Sequence, residues 1–110
     1  MNTRSILPRK TSPVTPEMIL TAVSDVWNTD TEQLLGLDRK QPISFARQLC
    51  MALIYQMTHM TLIEVGQYFN NRHHSTVMYA IERVDQASSN VEVAKLINQS
   101  IRKIQSNETR

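Results

Sequence analysis

Five consecutive residues, Arg72-His73-His74-Ser75-Thr76, gather a guanidinium, two imidazoles and two hydroxyls at one point of the chain. Side chains of these types donate to and accept from the polar edges of a ligand. They stand where an apolar helical pattern opens at Val77, and folding alone does not require them there. The His73-His74 pair is not expected to hold a metal, because neighbouring helical positions point about 100° apart and no cysteine or third ligand stands nearby. No paired carboxylates and no nucleophile-base pair accompany the group. The expectation is a binding site without cofactor, not an enzyme.

The elements that must position this group follow from periodicity. Thr15-Pro16 reads as an N-cap with proline at the first helical position, where its missing N–H costs nothing. Ile19, Ala22, Val23 and Val26 then mark one face of a helix ending near Trp27. Asn28 to Asp30 stop it, and Thr31 is expected to cap a short helix through Leu35, closed by Gly36. After the polar loop Leu37 to Pro42, Ser44 is placed to cap a long helix reaching about Thr58. Phe45, Leu49, Cys50, Ala52, Leu53, Ile54 and Met57 make that helix apolar on most sides, so it should be the central one.

Thr61-Leu62-Ile63-Glu64 is a capping-box pattern opening a helix whose Leu62, Val65, Gly66 and Phe69 share a face. Asn70-Asn71-Arg72 reads as a tight polar turn, in which asparagine can adopt a left-handed conformation. The next helix runs from His74 or Ser75 to Ala87, with Val77, Ala80, Ile81 and Val84 inward. Asn90 caps a last helix carrying Val93, Ile97, Ile101 and Ile104. Mid-helix Gly66 points to close packing across the turn, since glycine there costs about 1 kcal/mol relative to alanine.

Two short helices joined by a turn of a few residues make a helix-turn-helix, spanning Thr61 to Val84. In that geometry the second helix lies in the major groove of duplex DNA and its first turn meets base edges. Arg72, His73, His74, Ser75 and Thr76 are that first turn, and Thr61 and Leu62, opening the preceding helix, join the same contact set. His59 falls at the end of the long helix, where an imidazole suits the negative pole.

Composition sets the bounds. A chain of 110 residues with 41% hydrophobic content, 2 Gly and 4 Pro forms one helical domain. Residues 1–15 read as a flexible basic arm, 16–105 as the folded domain and 106–110 as a frayed tail. The arm holds Arg4, Arg9 and Lys10 without an acid, which leaves the rest of the chain near neutral. From Arg39 to Arg83, however, Arg39, Lys40, Arg47, Arg72 and Arg83 face only Glu64 and Glu82. DNA contact should therefore be local. A single cysteine, Cys50, sits in an apolar run and fits a small core residue in a reducing, cytoplasmic setting.

At these residues the chain resembles the C-terminal DNA-binding domain, domain IV, of the bacterial replication initiator DnaA. The family has a Gly, a Phe three residues on, a small turn, then Arg-Asp-His-Thr-Thr-Val. Here the sequence reads Gly66-Gln67-Tyr68-Phe69-Asn70-Asn71-Arg72-His73-His74-Ser75-Thr76-Val77. Arg47 to Leu53 match the start of the family's long helix, Leu62 to Gly66 its next helix, and the likeness extends from about Met18 to Ile104.

The resemblance implies an all-α, Trp-repressor-like fold of about six helices. It also implies that Arg39 enters a minor groove, with Lys40 beside it, and that His74, Ser75 and Thr76 take the places of the family's His-Thr-Thr. One arginine can read groove width and A·T-rich shape. His73 departs from the pattern: the family's aspartate accepts from a cytosine amino group, whereas a neutral histidine donates or accepts. Tyr55 stands where the family often has a phosphate-contacting lysine. The family's nucleotide-binding module would need a G-x-x-x-x-G-K-[ST] loop, which Gly36 and Gly66 cannot form. Because it opens with an unrelated basic arm, the chain reads as a stand-alone relative of the domain. Two functions are expected from this: a sequence-selective DNA-binding protein acting on replication initiation or transcription, or an interaction module docking on DnaA or its regulators.

Overall fold

A computed structural model describes residues 14–108. Residues 1–13 of the expected arm, with Arg4, Arg9 and Lys10, lie outside the described residues, while Val14 is buried against the core and Thr15 caps α1. Six helices follow one another: α1 (Pro16–Val26), α2 (Thr31–Leu35), α3 (Ile43–Met57), α4 (Leu62–Tyr68), α5 (His74–Ala87) and α6 (Val91–Glu108). No strand occurs among the described residues.

Local chemistry accounts for most boundaries. Thr15 Oγ1 accepts from the Met18 N–H at 3.2 Å, and Pro16 follows at the first helical position. Thr61 Oγ1 accepts from the Glu64 N–H at 3.1 Å while Glu64 Oε1 accepts from the Thr61 N–H at 2.8 Å, a reciprocal capping box. Asn90 Oδ1 accepts from the N–H groups of Glu92 and Val93 and so opens α6.

Three boundaries differ from the sequence reading. The cap of α2 is Asp30, whose carboxylate and Gln33 form a second capping box; a carboxylate outcompetes the Thr31 hydroxyl for that role. Helix α3 opens at Ile43 behind Pro42 without a side-chain cap at Ser44. There the Phe45 N–H is satisfied by Gln41 Oε1 at 3.2 Å. Helix α6 continues through Glu108, beyond the fraying expected from residue 106 on, since its Ile97, Ile101 and Ile104 are buried along one face.

Ten of the fifteen residues of α3 are buried, which makes it the axis of the fold. It packs against α1, α2, α4 and α5, while α6 lies along α1. Leu49, Leu53 and Ile54 of α3 meet Val65, Phe69, Val77, Ala80 and Val84 of the α4–α5 unit in one continuous core. Burial of each large side chain stabilises the fold by about 1.5–3 kcal/mol. An ion pair, Lys103 Nζ to Asp25 Oδ2 at 2.6 Å, links α6 to α1 at an exposed site and adds little. No described helix is long and apolar enough to cross a membrane.

Candidate nucleic-acid interface

The turn between α4 and α5 is built on Gly66. Phe69 closes α4, and Asn70 and Asn71 both take positive φ, 61° and 60°, which reverses the chain within a few residues. The Arg72 N–H then donates back to the Gly66 carbonyl at 2.8 Å. A Cβ at Gly66 would collide with the Arg72 carbonyl oxygen, so only glycine lets the turn fold down onto α4. The close approach expected from this glycine is thus made by the turn backbone.

The five-residue polar group divides by role. Arg72 is half-buried, and its guanidinium donates to the Phe69 carbonyl at 2.9 Å and to the Gly36 carbonyl at 2.9 Å. Each terminal nitrogen of the fork thus has one partner within the protein, which gives Arg72 a structural role beside the contact expected of it. Burial lowers its pKa from the ordinary arginine value, and the group stays cationic. His73 is the N-cap of α5, its Nδ1 accepting from the Ser75 N–H at 3.1 Å with Ser75 Oγ 2.9 Å away. The His74 ring lies against that of His73, centroids 4.3 Å apart and planes inclined by 34°. Ser75 and Thr76 are exposed at the open end of the helix.

Arg39 and Lys40 are exposed on the loop between α2 and α3. That loop is fastened from below by Arg47, which is 5% exposed. Its Nε donates to the Leu34 carbonyl at 2.7 Å, and its two terminal nitrogens donate to the carbonyls of Asp38 at 2.8 Å and Gln33 at 2.9 Å. The cation thereby sits among carbonyls at and just beyond the C-terminal end of α2, where positive charge is favoured. Desolvation, and then the charge of Arg72, lower the Arg47 pKa from its usual value. Two arginines therefore hold the segment 33–38 by its carbonyl oxygens, one from α3 and one from the turn before α5. Their common effect is to fix where Arg39 leaves the surface relative to α5.

Thr61 and Leu62 come together with His74 around an open groove of about 410 Å³, whose other walls include Tyr55, His59 and Ile63. Of the expected contact residues, Thr61, Leu62 and His74 line this groove, His73, Ser75 and Thr76 continue along α5, and Arg39 and Lys40 stand on the neighbouring loop. No group of three or more metal-ligating side chains occurs among the described residues.

Sequence reasoning did not single out Arg47 as a clamp, nor the exposed apolar residues Ile63, Met78 and Tyr79, which are 58%, 52% and 56% exposed. A signal existed for the last two: Met78 and Tyr79 fall three and four residues after Ser75, hence one turn further along the same face.

The comparisons agree with this architecture. The family model for the bacterial DnaA protein helix-turn-helix matches residues 16–84. The chain is similar to the chromosomal replication initiator protein DnaA of Synechococcus sp. (strain JA-2-3B'a(2-13)), with 38% identity over 79 residues, covering 72% of this chain and 17% of that protein. It is 40% identical over 83 residues to DnaA of Thermus thermophilus, covering 74% of this chain and 19% of the relative. Against DnaA of Thermodesulfovibrio yellowstonii it is 31% identical over 102 residues, or 92% of this chain and 23% of the relative. The chain thus spans about a fifth of these relatives. With the matched residues running from the start of α1 through Val84 of α5, the chain belongs to the family of the bacterial DnaA helix-turn-helix domain.

Proposed function

We propose that this chain binds double-stranded DNA and selects among sequences, with α5 in the major groove and the Arg39 loop at the adjacent minor groove. The observation that carries the reading is the pairing of an open, polar N-terminus of α5 with an exposed Arg39 whose loop two arginines lock to the same unit. His74, Ser75 and Thr76 supply base-edge and phosphate contacts, while Thr61 and Leu62 approach the backbone across the groove. Arg39 and Lys40 add cationic contacts. Arg72 acts as a positioning residue beside the contact expected of it. In the cell such a reader modulates replication initiation or transcription by occupying sites like those of DnaA, in the cytoplasm at the nucleoid.

The test is a titration of labelled duplexes at several salt concentrations. Log K should fall linearly with log salt at a slope near −0.9Z, with Z about 3 to 6 for one small module. A His74→Ala/Thr76→Ala double variant should bind its selected duplex at least about tenfold more weakly. Absence of binding at about 50 mM salt, or equal binding by the double variant, would overturn the placement.

A second reading draws on the exposed side chains of Met78 and Tyr79 on α5. They suit a protein partner such as DnaA or one of its regulators, in which case duplex titrations stay flat while the partner binds.

A further inference from the structure

We infer that His73 reads a hydrogen-bond acceptor in the major groove, with guanine the preferred base at its position and cytosine the least favoured. The inference rests on DNA meeting the N-terminus of α5 and deepens that reading.

The cap of α5 decides the protonation of the ring. A backbone N–H can only donate, so the Nδ1 that receives the Ser75 N–H at 3.1 Å carries no proton. A neutral imidazole holds its single proton on the other nitrogen, and the outward edge of His73 is therefore an Nε2–H donor. Ser75 Oγ, 2.9 Å from the same Nδ1, can add its own hydrogen to that acceptor. The His74 ring, stacked at 4.3 Å, restrains the imidazole from another side. His73 is exposed, and its remaining hydrogen-bonding edge stands at the end of α5 that enters the groove in this motif.

A fixed donor discriminates among bases. Guanine presents two acceptors, N7 and O6, and no donor on its major-groove edge. Adenine places an amino donor beside N7, and thymine offers O4 next to a methyl. Cytosine presents an amino donor, which would face the Nε2–H donor to donor. A carboxylate in the same place would invert the order, because it accepts from the cytosine amino group.

Aspartate is also among the best N-cap residues, so His73→Asp keeps a side-chain cap on α5 while it replaces the outward donor with an acceptor. That separates a reading role from a purely structural one. His73→Asn provides a second check: its side-chain oxygen can cap while its amide N–H₂ restores an outward donor.

The experiment selects bound duplexes from a random pool with the full chain and with each variant, then titrates duplexes differing at the one pair that changes. The wild-type chain and His73→Asn should enrich guanine there, with guanine bound about five- to tenfold more tightly than cytosine. His73→Asp should enrich cytosine, with the other positions unchanged and thermal stability preserved. Identical selected sequences from wild type and His73→Asp, or cytosine enriched by the wild type, would overturn the inference while leaving DNA binding in place. Failure of every chain to enrich any duplex would overturn both.

Discussion

The guanidinium of Arg72 donates to the carbonyl of Gly36 at 2.9 Å, joining the turn of the helix-turn-helix to a loop 36 residues earlier. Removing it leaves that carbonyl and the carbonyl of Phe69 without their charged donor. Arg72→Ala should lower unfolding free energy by about 2–3 kcal/mol in urea denaturation. It should also weaken DNA binding through Arg39. In a double-mutant cycle on binding, Arg72→Ala and Arg39→Ala should couple by about 0.5 kcal/mol or more, whereas independent contacts would add.

Gly66 and Gly36 should respond differently to the same substitution. A methyl at Gly66 meets the Arg72 carbonyl, a backbone atom that moves only if the turn opens. Gly66→Ala should therefore cost about 1–3 kcal/mol or more. At Gly36 the new methyl would lie 3.2 Å from the Glu32 carbonyl and φ is −86°, so a small local shift suffices. Gly36→Ala should change stability by less than about 1 kcal/mol, measured by the same denaturation.

The hydroxyl of Tyr68 on α4 donates to Glu17 Oε2 on α1 at 3.2 Å. Desolvation and the neighbouring Glu17 charge raise its pKa to about 12 from the ordinary 10.0. The folded state thus holds this proton more firmly than the unfolded chain does. Its contribution to stability is complete below pH 10 and is lost as pH rises toward about 12. Thermal melts should show stability falling across that window, and Tyr68→Phe should flatten the fall.

Cys50 is fully buried in α3, and burial pushes its thiol pKa up. Only a thiolate reacts with alkylating reagents at a useful rate. Labelling of Cys50 under native conditions should therefore be slow and should track global unfolding across a urea series. Rapid labelling of the folded protein would show that α3 opens locally.

The succession of helices is legible in the sequence because all but the short α2 carry their own apolar repeat and most carry a local stop or start signal. The capping box at Thr61, the left-handed Asn70 and Asn71 and the cap at Asn90 are local chemistry of this kind. What is not legible depends on partners distant in the chain or on an unusual use of a residue. Arg72 reads only as an exposed contact until its partner at Gly36 is known, and Arg47 reads as part of an amphipathic helix until the carbonyls of Gln33, Leu34 and Asp38 surround it. Histidine is not among the preferred N-cap residues, so His73 reads as a free imidazole although its Nδ1 is already engaged.

The central claim is that duplex DNA meets the surface formed by the start of α5, the start of α4 and the Arg39 loop. The most direct measurement is amide chemical-shift mapping of the full chain during titration with a selected duplex. Large, saturable shifts should cluster at Arg39, Lys40, Thr61, Leu62 and His73 to Thr76, with α6 and the outer side of α1 unaffected. Shifts confined to α1 and α6, or none above those caused by a matched salt change, would contradict the account.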